Sequence, residues 1–308
     1  MNILPVTLNE KGYSCEILSI KHLPELRETI EGLHRDGHLD DEFYGQRLRH
    51  FEFHPPADFP GARSIIVVAA PQPKIRVTFV RNGEEQHVFI PPTYLTPIDK
   101  QITNLLTELL TPQGWHLARA VLPLKQLVVH SGLGTYGKNN ICYLPGRGSF
   151  HRLLAFFTDV PCTEDPWMDN QMLERCRACS ACVNSCPGGA ISSDRFLLHA
   201  ERCITLHNES PKDFPIWLDP SWHNCLVGCL ICQDVCPENK RFLKRVEDIG
   251  RLSEIETDLI MRHTPFNELP ASTIDQFLEL DLTDCYDLIP RNLGVLLDKH
   301  VGKSNEGD

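Results

Sequence analysis

Two cysteine runs constrain this chain more than any other feature. The first, "CRACSACVNSCPGGAI", sets Cys176, Cys179, Cys182 and Cys186 at gaps of two, two and three residues, with Pro187 following the last. Gaps of two let successive thiolates converge on one small cofactor, and this spacing is that of a bacterial ferredoxin run, whose fourth cysteine ligates a second cluster. The second run, "NCLVGCLICQDVCPEN", carries Cys225, Cys229, Cys232 and Cys236. By crossover logic Cys236, which precedes Pro237, closes the first [4Fe–4S] cluster with Cys176, Cys179 and Cys182. The second cluster then takes Cys186, Cys229, Cys232 and one more thiolate. Spacing leaves Cys203 and Cys225 both open for that place. A zinc site would show only one or two separated knuckles. Cys15, Cys142, Cys162 and Cys285 lie outside the runs and are expected to be small buried hydrophobes.

Two adjacent clusters imply an electron donor on one side and an acceptor on the other. An external donor of the flavodoxin or ferredoxin type is expected. The chain begins without a basic leader or an apolar signal core, and its most apolar stretch, "SIIVVAAP", is too short to span a bilayer. A soluble cytoplasmic protein with no membrane partner is expected, in which thirteen cysteines mean metal or redox work rather than disulfides. The net charge of −11 argues against a nucleic-acid grip through the overall field.

The first half reads as an α/β domain. Leu23, Leu26, Ile30 and Leu33 recur at helical spacing, and Gly37 is placed to stop that helix. "ARSIIVVAA" reads as a buried strand, and "IRVTFVRNGEEQHVFI" as a hairpin turning at Asn82-Gly83. Ile98, Ile102, Leu105 and Leu109 mark a second helix, and "RLLAFFTDV" a further strand. The expected division is 1–165 for the α/β cofactor-binding domain, 166–250 for a ferredoxin-like dicluster domain and 251–308 for a helical tail. The closing "GKSNEGD" is expected to fray.

The candidate acceptor site is "VVHSGLGTYGKNNI". Gly132, Gly134 and Gly137 satisfy G-x-G-x-x-G, yet a dinucleotide fold needs a helix directly after them, and Pro145, Gly146 and Gly148 break that segment. The same residues approach a phosphate loop, but Asn139 stands where the magnesium-binding Ser or Thr belongs. What remains is a loop whose glycines, amides and Lys138 could cradle a cofactor.

Taken together, "PGARSIIVVA", "SGLGTYGKNN", "FTDVP", the two cysteine runs and "ERCITL" resemble the epoxyqueuosine reductases, over about residues 20 to 240. The resemblance implies a nitroreductase-like α/β domain holding a corrinoid (cobalamin), followed by a ferredoxin-like double [4Fe–4S] cluster domain. A flavin is the alternative occupant. It favours Cys203 over Cys225 as the eighth ligand and places Ser131, Gly132, Leu133, Gly134, Gly137, Lys138, Asn139 and Asn140 at the cofactor. The family's proton-donor Asp falls on Ala118 here and its Glu on Leu124, and no carboxylate lies from His116 to the loop. His130 is therefore the candidate catalytic acid, with His116 and Tyr136 nearby and Arg119 and Lys125 as possible anion holders. The expected activity is reduction of an unidentified small molecule. An electron carrier without substrate chemistry and a true tRNA epoxyqueuosine reductase are the alternatives, with tRNA disfavoured by the rebuilt substrate site.

Overall fold

The computed structural model describes residues 3–303. Residues 304–308, most of the stretch expected to fray, lie outside the described residues. In chain order the strands are β1 (Ser14–Ser19), β2 (Ser64–Pro71), β3 (Lys74–Arg81), β4 (Glu84–Ile90), β5 (Leu117–Arg119), β6 (Thr135–Tyr136), β7 (Cys142–Tyr143), β8 (His151–Thr158) and β9 (Val246–Leu252).

The apolar run in β2 makes it a central strand. The sheet order is β1-β2-β8-β5, antiparallel throughout. Because side chains alternate along a strand, the run faces two ways. Ile65 and Val67 join Leu18, Ala155 and Phe157 under the helices Leu23–Arg35 and Leu124–His130. Ile66, Val68 and Ala70 join Ile17, Leu154 and Phe156 under Ile3–Glu10 and Pro97–Leu110. A sheet covered on both faces explains an unbroken hydrophobic strand where one solvated face would give alternation.

The expected helices stand where the spacing put them. Leu23, Leu26 and Ile30 are buried, and Gly37 takes φ 73° just past the helix end. In the second helix Ile98, Ile102, Leu106 and Leu110 form the buried stripe, with Leu105 and Leu109 at its margin. The hairpin turns at Asn82 (φ 54°) and Gly83 (φ 78°), the two left-handed residues that a tight two-residue turn requires.

The hairpin does not join the large sheet. β9 pairs parallel with β3, giving the order β4-β3-β9. Ile75, Val77, Phe79, Val88 and Ile90 then pack against Ile260, Phe277, Ile289 and Leu293 of the helices Glu254–Met261, Ala271–Glu279 and Ile289–Lys303. A layer begun at residue 74 is thus completed by the end of the chain, and the cysteine-rich segment is held between the two halves. No described helix is long and apolar enough to cross a membrane.

Candidate functional site

The cysteine-rich segment has little regular structure. Its helices, Ala181–Ser185, Ile204–Asn208 and Ile231–Asp234, are four or five residues long. Cys176, Cys179, Cys182 and Cys236 line one small cavity together with Gly137, Lys138, Asn139 and Tyr143. Burial raises the thiols of Cys176 and Cys182, and each feels Cys236 and Cys179 as charged neighbours. The second run gathers with Cys203. Burial pushes Cys229 up to about 11 and Cys232 higher, and both interact with Cys203 and Cys186. Thiols desolvated in this way stay protonated at neutral pH unless a cation holds them as thiolates, which is what bound iron does. Among the described residues no three His, Cys, Asp or Glu side chains could share a single metal ion. Each cysteine set surrounds a volume rather than a point, and the donors fit a cluster.

Cys225 sits apart. It is fully buried against Phe150, Leu230 and Phe242, and its thiol faces Asn224 Oδ1 at 3.1 Å. Asn224 is the useful neighbour: its Nδ2 donates to Cys229 Sγ at 3.2 Å while its Oδ1 accepts from Leu230 N–H at 2.8 Å. Hydrogen bonds to cluster sulfurs favour the reduced, more negative state and tune its potential. Of the outlying cysteines, Cys15 and Cys142 are buried as expected, whereas Cys162 and Cys285 are only half-buried.

The glycine loop meets both thiol sets. Lys138 lines the cavity of the first set, and Asn139 Nδ2 donates to the backbone carbonyl of Cys232 at 3.5 Å. Lys138 Nζ reaches Cys179 O at 2.9 Å, and Tyr143, whose hydroxyl accepts from Asn139 Nδ2 at 2.9 Å, hydrogen-bonds Cys236. Lys125 Nζ bonds Asn140 O and Oδ1 at 2.9 and 2.6 Å. Solvent reaches its side chain, yet the surrounding protein lowers its pKa, and Cys142, Cys203 and Cys232 act on it as neighbours.

The loop is not a nucleotide cradle. A helix precedes the glycines and short strands follow, the reverse of a dinucleotide fold. Gly132 takes φ 74° as the stop of Leu124–His130, and its open side is covered by the tip of Met168, itself 44% exposed. Gly134 lies against the Tyr143 carbonyl, and a Cβ at Gly137 would stand 2.6 Å from Tyr143 Cε2. Ser131 Oγ bonds Val128 O at 3.0 Å, and Leu133 packs into the core. The face of Gly132 under Met168 is the part of the loop that a flexible side chain alone separates from a ligand.

His130 is buried and stacked on Trp167 at 4.2 Å, with Nδ1 2.6 Å from Met168 O. Trp167 stacks in turn on His22, which bonds Asp165. Tyr136 is buried, and desolvation raises its hydroxyl far above the ordinary range. Only His116 is exposed, its Nδ1 2.7 Å from Asp159. Arg119 pairs with Asp99 at 3.1 Å and is not a free anion holder. Sequence reasoning missed Asn224, Tyr143 and Tyr94. Tyr94 belongs to the segment after the hairpin, packs on Gly228 and hydrogen-bonds Glu209, which Arg47 also contacts at 3.0 Å.

Comparison with known proteins decides the nature of the thiol sets. Residues 175–239 match the 4Fe-4S double cluster binding domain family. The chain carries a 4Fe-4S double cluster domain. It is also a relative of the epoxyqueuosine reductases. That of Synechococcus sp. (strain CC9605) is 33% identical over 153 residues, 48% of this chain and 46% of the relative. That of Pseudomonas aeruginosa is 32% identical over 184 residues, 59% of this chain and 48% of the relative. The chain thus matches about half the length of these curated relatives. In fold it resembles the epoxyqueuosine reductase of Streptococcus thermophilus, with TM-score 0.61 at 16% identity, covering 92% of this chain and 76% of that one. A further neighbour is an epoxyqueuosine reductase solved with an epoxyqueuosine-modified tRNA stem loop, with TM-score 0.54 at 20% identity, covering 74% of this chain and 62% of that one. These names weigh against the expectation that tRNA is not the partner.

Proposed function

We propose that the chain is an iron–sulfur reductase of the epoxyqueuosine reductase type, with epoxyqueuosine in tRNA as its substrate. One cluster is held by Cys176, Cys179, Cys182 and Cys236 and the other by Cys186, Cys203, Cys229 and Cys232. The observation that carries this reading is the pair of adjacent donors on the glycine loop, Lys138 Nζ to Cys179 O at 2.9 Å and Asn139 Nδ2 to Cys232 O at 3.5 Å, which ties the loop to both cysteine runs at once. Clusters so placed supply single electrons to an acceptor beside the loop, and the resemblance makes that acceptor a corrinoid. The chain's own part is to position it. The Gly132 face under Met168 would take the ligand, and Lys125, bonded to Asn140 of the same loop, would offer a cation there. His130, stacked on Trp167 and hydrogen-bonded to Met168 O, holds the Met168 segment in place. With Ala118 at the position of the family's acid, His116, exposed and oriented by Asp159, is the residue able to deliver a proton.

The test is anaerobic incubation of the chain, purified from cells supplied with cobalamin, with a reductant and an epoxyqueuosine-bearing tRNA stem loop. Queuosine should form, in a sample holding about eight iron and one cobalt per chain. Full iron with no conversion would favour an electron carrier without substrate chemistry, the reading that the lack of any carboxylate between His116 and the loop supports. Absence of iron would overturn both.

A further inference from the structure

The first thiol set lines a cavity whose flanking residues Ala178, Val235 and Pro237 are exposed. Val235, next to Cys236, is 38% exposed. Exposed cations flank each run along the chain: Arg175 and Arg177 on either side of Cys176, and Lys240, Arg241, Lys244 and Arg245 directly after Cys236, with Arg175 tied across to Glu238. Tight turns fold the second group back directly after Cys236: Lys240 N–H donates to Pro237 O at 3.3 Å, Leu243 to Asn239 O at 3.1 Å and Arg245 to Phe242 O at 2.9 Å. Only two of these cations are neutralised locally, Arg175 by Glu238 at 2.6 Å and Arg177 by Glu174 at 3.2 Å. Among the described residues no carboxylate pairs with Lys240, Arg241 or Lys244. In a chain of net charge −11 this is a concentrated positive collar.

An apolar centre with a charged rim is the anatomy of a protein interface. Small, charge-steered interfaces are those of transient electron-transfer pairs. We infer that the collar around the first thiol set is the docking face for a small acidic protein that carries one electron at a time. The inference rests on the double-cluster reading above. In each encounter one electron leaves the reduced donor and enters the first cluster, with no bond formed or broken, and two encounters supply a two-electron reduction. Entry at the first set leaves the second set to pass the electrons on to the acceptor. The observations favour a protein over tRNA because the cations flank the first cluster rather than the Gly132 face.

The probe is an acidic [2Fe–2S] ferredoxin. Its binding to the intact chain is followed by calorimetry at about 0.02 and 0.3 M salt, and its reduction of the chain by anaerobic stopped flow. Tight binding at low salt, lost at high salt, is expected. Lys240→Glu with Arg241→Glu should slow reduction by ferredoxin about tenfold or more, and Lys240→Gln with Arg241→Gln should do so more mildly. Photoreduced deazaflavin, a small reductant that needs no docking face, should reduce wild type and variants alike, showing the clusters intact. Ferredoxin binding and reduction unchanged by salt and by both variants would overturn the inference. So would loss of tRNA stem-loop binding in the variants with ferredoxin unaffected, which would assign the collar to nucleic acid. A preparation without iron would defeat the cluster reading, and the binding arm would then decide the docking face by itself.

Discussion

Cys203 and Cys225 show what a single residue's surroundings decide. Spacing left both open, and only the family resemblance chose between them. In the fold both neighbour Cys229, but Cys203 also neighbours Cys232 and Cys186, whereas Cys225 is packed among Phe150, Leu230 and Phe242 with its thiol on Asn224 Oδ1. Cys203→Ala should lower the iron content of anaerobically purified protein by about half, and Cys225→Ala should leave it unchanged; equal losses in the two variants would contradict the assignment. His151 offers a test of stability rather than function. It is buried in β8, its Nδ1 has no hydrogen-bond partner, and burial pulls its pKa down to about 4. The unfolded chain binds a proton there below pH about 6.5, whereas the folded chain resists it until about 4. Its neutral burial therefore costs nothing above 6.5, and stability falls as the pH drops from 6.5 toward 4, by up to about 3 kcal/mol. Compared with wild type, His151→Leu should lose less of its urea midpoint between pH 7.5 and 5, measured by circular dichroism. Parallel losses would show that another group governs the acid limb.

At the scale of elements, local pattern and long-range pairing part company. The helix Leu23–Arg35, strand β2 and the hairpin were legible because each is written in a period of 3.6 or 2, or in a turn dipeptide, within some fifteen residues. The union of β3 with β9 was not, because nothing in either strand names a partner so far along the chain. The same holds for Tyr143 and Asn224, which are ordinary residues until the fold sets them beside Cys236 and Cys229. The helix after β9 carries its own signature, unremarked in the sequence. Ser253 accepts from Glu256 N–H, and Glu256 answers by accepting from Ser253 N–H at 2.9 Å. Burial would raise this carboxyl, but hydrogen bonds from Ser253, Thr273 and Ser272 overcome that and hold it at about 2. Glu256 thus binds the start of one helix to the start of the next. Ser253→Ala should cost about 1 kcal/mol, and Glu256→Ala more, since it releases three side-chain donors. Thermal melts that rank them the other way would show that the cap, rather than the link between helices, dominates.

In the whole molecule, two apolar cores flank a segment that has almost none of its own. The large sheet with its four helices and the β4-β3-β9 layer are stabilised by buried side chains. Residues 176–236 have helices of four or five residues, far below the dozen or so that an isolated helix needs. Such a segment takes its order from iron, and binding free energy there is folding free energy. The consequence reaches past the cysteines, because Lys138, Asn139 and Tyr143 direct their hydrogen bonds to the cysteine runs. Chelation of iron under anaerobic conditions should therefore raise amide exchange across 176–236 and across 137–143 together. β2 and β8, whose partners are each other and the flanking helices, should stay protected. Hydrogen exchange read by mass spectrometry separates the cases. If 137–143 kept its protection after iron was lost, the glycine loop would be an independent turn and not the joint between the α/β layer and the clusters. If β2 and β8 lost protection as well, the iron would be holding the entire fold, and the two-core description would have to give way.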